Sequence, residues 1–275
     1  MNETQLKEKI DEMTQSIRTL GSVAVAFSGG VDSTVVAALA YNALVDKALA
    51  VTIDSPLFLR EELEHAKSIA AHIGIRHEII QHDELKVPEF RGNPKNRCYI
   101  CKRSRYTAVM KHLEGRGFKA VLEGTNKSDL GQYRPGLKAS NELGVVKPLL
   151  EAGLSKADTR AAARLLGLPN ADMPSNSCLA SRIPYNEELT RERLERVLDA
   201  ELFIKRETGV KTLRVRDHGG LARIEVGSHE RSLLFSEEKM DRVAERLKEL
   251  GFRWAALDLE GYRFGSYDRE QKKPA

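Results

Sequence analysis

The sequence contains no run of about 18 apolar residues, the length a helix needs to cross a bilayer. The first residues, Met1 to Asp11, are polar and lack the apolar stretch of a secretion signal. A cytoplasmic protein without a membrane partner is therefore expected. Cysteine is scarce: three among 275 residues, an odd number. A disulfide framework is excluded as the source of stability, and the thiols read better as metal ligands or reactive groups. Neither sign of charge dominates, with 44 Lys and Arg against 40 Asp and Glu for a net charge of +4. No segment is densely basic, which argues against nucleic acid as a partner. Internal repeats and low-complexity tracts are also missing.

What is present is an alternation. Hydrophobic residues make up 41% of the chain and charged residues 31%, enough for a core and a solvated surface. Leu6, Ile10, Met13, Ile17 and Leu20 form an apolar stripe at helical spacing. Val23–Phe27 and Ala48–Ile53 are short continuous apolar runs, as in strands buried on both faces. Further strands are expected at Arg76–Ile80 and Lys119–Glu123, with helices at Thr34–Val45, Glu61–Ile73 and Arg103–Glu114 between them. Such alternation implies a doubly wound parallel α/β sheet. Beyond Glu123 the texture loosens, with a capped helix from Ser155 to Leu166. From Leu189 onward the pattern changes to a long helix, a hairpin around His218-Gly219-Gly220, a second helix and a last strand at Trp254–Leu259. We expect residues 1–186 to form the α/β domain. Residues 187–275 should form a smaller α+β domain for substrate binding or oligomerisation.

The first strand runs directly into Ser28-Gly29-Gly30-Val31-Asp32-Ser33-Thr34, and a helix follows. Two glycines let the backbone approach a ligand closely. The N–H groups of the turn and of the helix start then face an anion, and Ser28, Ser33 and Thr34 add hydroxyls. Asp32 repels phosphate directly and would meet it through Mg²⁺. No Gly-Lys-[Ser/Thr] is present, so the loop is not a Walker P-loop. In a parallel sheet ligands bind beyond the carboxyl ends of the strands. Asp32, Asp54 and Glu123 all lie at or just after such ends.

The heptad in this strand–loop–helix setting resembles the PP-loop ATP pyrophosphatase superfamily, whose members cleave ATP between the α- and β-phosphates and form adenylates. Four more stretches sharpen the likeness: Asp54-Ser55-Pro56-Leu57-Phe58, Glu123-Gly124-Thr125-Asn126, Tyr133-Arg134-Pro135-Gly136-Leu137-Lys138-Ala139, and Ser177-Cys178-Leu179-Ala180-Ser181-Arg182-Ile183-Pro184-Tyr185. With them the chain closely resembles the LarE family of sulfur transferases in nickel-pincer-nucleotide biosynthesis, from the first strand to Gly261-Tyr262-Arg263. The resemblance implies that MgATP adenylates a carboxylate of pyridinium-3,5-biscarboxylic acid mononucleotide and that sulfur displaces AMP to give a thiocarboxylate. It implies ATP contacts from Ser28, Gly29, Gly30, Asp32, Ser33, Thr34, Asp54, Ser55, Glu123 and Gly124, and catalytic roles for Asp32 and Cys178. A homo-oligomer and a sulfide source complete the implied partners.

In the sacrificial form of that family one cysteine gives up its sulfur and becomes dehydroalanine. This chain departs from that pattern, because Cys98-Tyr99-Ile100-Cys101 opens the helix that continues through Arg103. A Cys-x-x-Cys pair with a distant third cysteine suits three irons of a [4Fe–4S] cluster, leaving a fourth iron for hydrosulfide. A sacrificial Cys178 with a bystander pair, a zinc site or a redox dithiol remain alternatives.

Arg214 and Arg216 are two apart on a strand and share a face, as do Arg223 and Glu225 on the next. Composition alone makes this the solvated side of a hairpin. The resemblance instead places Ser181, Arg182, Arg214 and Arg216 on the substrate phosphate, with Glu201 and Glu225 as acidic residues nearby. Competing functions are a PP-loop tRNA thiolase, which lacks its basic surface here, and an ammonia-using synthetase, which lacks a glutaminase-type N-terminal cysteine. A non-catalytic nucleotide module conflicts with so complete a set of loop residues.

Overall fold

The structure is a computed structural model that describes residues 1–130, 134–173 and 177–263. The chain divides into two units, one of Met1–Val87 with Asn96–Asn176 and one of Pro88–Lys95 with Ser177–Ala275.

The first unit begins with α1 (Glu3–Leu20), whose Asn2 side chain and Gln5 form a reciprocal capping box. Its stripe is confirmed, with Leu6, Met13 and Ile17 buried. There follow β1 (Val23–Ala26), α2 (Val31–Leu44), β2 (Ala48–Asp54), α3 (Arg60–Ile73) and β3 (Arg76–Gln81). The short helix α4 (Pro88–Arg91) belongs to the second unit. The first unit resumes with α5 (Arg97–Leu113), β4 (Ala120–Leu122), the short helices α6 (Gly136–Glu142) and α7 (Pro148–Glu151), and α8 (Lys156–Leu165). All four strands are parallel, in the order β3-β2-β1-β4.

Alternation along β1 explains the layers. Val23 and Val25 enter one apolar cluster with residues of α1, α2, α3 and α8, while Ala24 enters the other with Tyr106, Val109 and Leu113 of α5. Both faces are therefore covered, which is why the strands read as continuous apolar runs. The order also reverses at β1, which pairs with β2 on one side and β4 on the other. Loops after strands that diverge in this way leave a crevice at the carboxyl end of the sheet. The loop Ser28–Gly30 and Glu123 flank it.

The second unit contains α9 (Arg191–Thr208), the antiparallel pair β5 (Leu213–His218) and β6 (Leu221–Val226), α10 (Glu237–Glu249) and β7 (Trp254–Leu257). β7 joins β6 in parallel and forms the edge of a three-stranded sheet. Leu213, Val215, Ala222 and Ile224 face Val197, Ala200, Ile204, Val243 and Leu247 of the two helices. Pro88–Lys95, which precedes α5 in sequence, is tied here by local bonds. The Asn93 side chain donates to the Pro184 carbonyl at 2.7 Å, and Leu189 N–H donates to Arg91 O at 2.9 Å.

Candidate active site

In the first unit the glycine loop is built largely from backbone. Gly29 takes φ +73°, and a Cβ there would stand 2.9 Å from the Cα of Ala66 on α3, so only glycine fits. Ser28 and Ser33 share a hydroxyl contact at 3.1 Å, and Ser33 Oγ donates to the Gly30 carbonyl at 3.0 Å. α2 starts at Val31, so the positive end of its dipole lies behind the loop. Gly124 approaches from β4: a Cβ on it would lie 2.6 Å from the Asp32 carbonyl carbon and the Ser33 nitrogen.

Asp32 is held between Lys156 Nζ at 2.5 Å and Asn126 Nδ2 at 3.2 Å. Glu123, 4% exposed, accepts from Lys102 at 2.6 Å, from Thr125 at 2.9 Å and from the Tyr106 hydroxyl. Burial opposes its charge, but the Lys102 ammonium and these donors hold its pKa below the usual carboxylate range. Burial lowers the pKa of Lys147, 3.9 Å from the same carboxylate, and pushes the Tyr106 phenol well above its ordinary value. Asp54 accepts from Gln81 at 2.6 Å. Ser55 donates to the fully buried Glu84 at 2.5 Å. Thr34 is completely buried, and its hydroxyl accepts from Asn170 at 2.9 Å. The hydroxyl proton of Thr34 stays available to a second partner. Lys102, Lys156 and Asn170 do not stand out in the sequence as site residues, although each holds a residue that does.

Cys98 and Cys101 lie in the first turns of α5, one exposed and one half-buried, and neither is in a disulfide. Cys178 belongs to the second unit, where it caps the 3₁₀ turn Leu179–Arg182. Among the described residues no group of three or more His, Cys, Asp or Glu side chains is placed to hold a metal. Tyr133, part of one resembling stretch, lies outside the described residues.

In the second unit the arginine face is buried, contrary to what composition alone suggests. Arg214, Arg216 and Glu225 are all less than a tenth exposed. The 3₁₀ turn covers them: Arg216 donates to Ser181 O at 2.6 Å and to Glu225 at 2.8 Å. Arg223 reaches the other Glu225 oxygen at 2.9 Å. Arg182 forms a forked pair with Glu201 at 2.9 and 3.0 Å, and donates to Ser177 O and Cys178 O at 2.7 and 3.1 Å. Burial disfavours the Arg182 cation, yet the Glu201 charge outweighs it and raises the pKa. Arg214 differs. It donates to its neighbour's carbonyl, Leu213 O, at 2.6 Å and lies 5.0 Å from the Tyr262 ring centroid. Among the described residues it has no carboxylate within ion-pair distance, unlike Arg182, Arg216 and Arg223. Burial and the Arg182 charge lower its pKa. A buried cation in this condition is suited to an anionic ligand.

The asparagine synthase family model matches residues 5–125. An uncharacterised protein of Synechocystis sp. is 40% identical over 264 residues, 96% of this chain and 98% of that protein. Pyridinium-3,5-bisthiocarboxylic acid mononucleotide synthase of Lactiplantibacillus plantarum is 37% identical over 263 residues, 94% of each chain. A chain of the glutamine-hydrolysing GMP synthase of Methanococcus maripaludis is 28% identical over 222 residues, 74% of this chain and 68% of that one. The loop, the parallel sheet behind it and the near full-length match to the Lactiplantibacillus synthase agree: this chain belongs to the LarE family of PP-loop ATP-utilising enzymes.

Proposed function

We propose that the chain adenylates a carboxylate of pyridinium-3,5-biscarboxylic acid mononucleotide with MgATP and converts it to a thiocarboxylate. The observation that carries this reading is the glycine loop with Asp32 held at the carboxyl end of the sheet, in a chain 37% identical to a synthase of that product class. In the first step a carboxylate oxygen attacks the α-phosphorus, the bond to the bridging oxygen breaks, and pyrophosphate leaves. The N–H groups of the Ser28–Gly30 turn, the hydroxyls of Ser33 and Thr34 and the backbone at Gly124 meet the phosphates. Asp54, Ser55 and Glu123 complete the ATP-handling set. Asp32 is the residue that would hold Mg²⁺, an ion that neutralises phosphate charge when bound. In the second unit, Arg214 carries the substrate phosphate, with Ser181, Arg182 and Arg216 beside it and Glu201 and Glu225 holding the arginines.

In the second step sulfur adds to the acyl carbon and AMP leaves with the bonding pair. A [4Fe–4S] cluster on Cys98, Cys101 and Cys178 would supply hydrosulfide for this step. Cys98 and Cys101 support it, being one turn apart at the start of α5. The alternative donor is the chain's own thiol. The Cys178 thiolate attacks the adenylate and a thioester forms. A base then takes the Cys178 α-proton, the Cβ–Sγ bond breaks toward sulfur, and the thiocarboxylate departs from dehydroalanine. The half-buried Cys178, whose backbone carbonyl accepts from Arg182 at 3.1 Å, supports this route.

The reading extends to a cytoplasmic setting, where thiols stay reduced, and to a homo-oligomer, supported by exposed Phe235, Met240 and Trp254. The test is pyrophosphate release from MgATP, which must depend on the mononucleotide, together with an oxygen-to-sulfur mass gain in that compound. Release that ignores the mononucleotide refutes the substrate. Intact-protein mass spectrometry separates the donors: loss of H₂S at Cys178 means sacrifice. An intact chain after several turnovers, with iron and sulfide bound after anaerobic reconstitution, means a cluster.

A further inference from the structure

We infer that Asn170 is a positioning residue for the ATP loop, setting the orientation of the Gly29–Gly30 peptide. The inference rests on the adenylation reading only for what the loop binds; the clamp itself is a matter of geometry. Asn170 is 4% exposed and sits in the loop after α8, between the buried Leu168 and Ala171. Its Nδ2 lies 2.7 Å from the Gly29 carbonyl and 2.9 Å from Thr34 Oγ1. A carbonyl oxygen only accepts, so the atom facing Gly29 is the amide nitrogen and the side chain cannot be flipped. Both its hydrogens are committed, one to each side of the turn. The Asn170 Oδ1 is buried with no partner among the described residues.

The consequence for the loop follows from the planar trans peptide, in which C=O and N–H point in opposite directions. With the Gly29 carbonyl pulled inward by Asn170, the Gly30 N–H points away from it, toward Ser28 Oγ at 3.3 Å. That is the donor an anion needs. Glycine at both positions gives this peptide little intrinsic preference against flipping, and a flip would present a carbonyl to phosphate instead. The Thr34 strut ties the same clamp to the first turn of α2. α8 therefore serves the loop from both ends: Lys156 at its start holds Asp32, and Asn170 beyond its end holds Gly29.

The experiment compares wild type, Asn170→Ala and Thr34→Val in two measurements. Hydrogen exchange of the Gly30 amide in the ligand-free protein is expected to speed up in Asn170→Ala, and to a smaller degree in Thr34→Val, which removes one of the two struts. Calorimetric titration is expected to show Kd for MgATP and for pyrophosphate rising about tenfold in Asn170→Ala, with Kd for adenosine unchanged. A purely structural role would move adenosine with ATP, or move stability alone. Unchanged Gly30 exchange in both variants overturns the inference, as does unchanged ATP and pyrophosphate affinity in a folded Asn170→Ala. If Asn170→Ala does not fold, the Gly30 exchange in Thr34→Val decides. Failure of the wild type to bind MgATP counts against the adenylation reading, and the exchange measurement still decides the clamp.

Discussion

The two units hold their candidate residues by different physics. In the first, backbone conformation and close approach shape the glycine loop, with Gly29 at φ +73°, Gly124 against Asp32 and Ser33 and a helix start behind it, while the Lys102–Glu123 and Lys156–Asp32 pairs flank it. In the second, positioning is done by buried charge. Arg182 is forked onto Glu201, Arg216 and Arg223 share Glu225, and Arg214 alone in that group has no carboxylate within ion-pair distance among the described residues. A backbone site is fixed before any side chain is chosen, and it suits a phosphate chain that varies little between substrates. A side-chain site can be tuned residue by residue, and it suits the part of a reaction that distinguishes one enzyme from its relatives. The comparison predicts different failures: rate and ATP affinity in the first unit, stability and substrate affinity in the second.

The largest effect should come from unpairing the second unit's charges. Glu201→Ala leaves the Arg182 cation, 4% exposed, without its counter-ion and removes the acceptor of the Val215 N–H at 3.0 Å. Breaking one side of a buried pair costs about 3–5 kcal/mol, so urea denaturation of this variant should lose stability on that scale. A loss under about 1 kcal/mol would mean that the pair is solvated and that charge does not organise this unit. Next comes Gly124→Ala, which forces a Cβ to within 2.6 Å of the backbone of Asp32 and Ser33. Displacing a reacting centre by an ångström costs on the order of 100-fold in rate. kcat/KM for MgATP should fall by about that factor, and the clash should also cost about 1–3 kcal/mol of stability. Normal turnover in this variant would show that the close approach is incidental.

Arg214→Ala tests the side-chain site directly. Loss of a charge-assisted hydrogen bond of about 1.5–3 kcal/mol should raise KM for the mononucleotide by about ten- to a hundredfold and leave KM for ATP unmoved. An unchanged mononucleotide KM removes Arg214 from the site. A rise in both constants would mean that the arginine supports the fold rather than the ligand.

Much of the first unit was legible because its signals are local. A doubly buried strand must be continuously apolar, and Val23–Phe27 is. The glycine heptad carries its own geometry, and helix α8 announces its start through Ser155 and Asp158. The partners of those local features were not legible. Lys156 and Asn170 reach the loop from more than 120 residues away in sequence, and nothing around them marks the destination. The second unit hid more. The alternation Leu213-Arg214-Val215-Arg216 is the same whether the polar side meets water or protein. Only the folding of Ser177–Tyr185 over it decides, through bonds such as Arg216 to Ser181 O. Likewise Asn93 gives no sequence sign that it will hold the carbonyls of Ile183 and Pro184. Burial of polar faces is a tertiary property, and periodicity does not encode it.

The smallest effect sharpens the contrast from the other side, through an ion pair of the first unit that lies at its rim. Glu78 on β3 accepts from Arg116 at 2.7 Å and from His112 at 2.6 Å, and its side chain is 30% exposed. The Arg116 bond, against the opposing effect of partial burial, lowers its pKa from 4.5 to about 2. A depressed folded-state pKa gives stability that is complete above the unfolded value and fades as pH falls through the folded one. The contribution of Glu78 should therefore be full above about pH 5 and vanish toward pH 2. Solvent screens a pair at this exposure, so its magnitude should stay under about 1 kcal/mol. Subtracting the urea stability of Glu78→Gln from that of wild type, pH by pH, isolates it. A difference that shrinks between pH 5 and pH 2 and weakens with added salt fits a rim pair. A difference that does neither would place Glu78 with Glu201 and Glu123 among the buried counter-ions rather than at the rim.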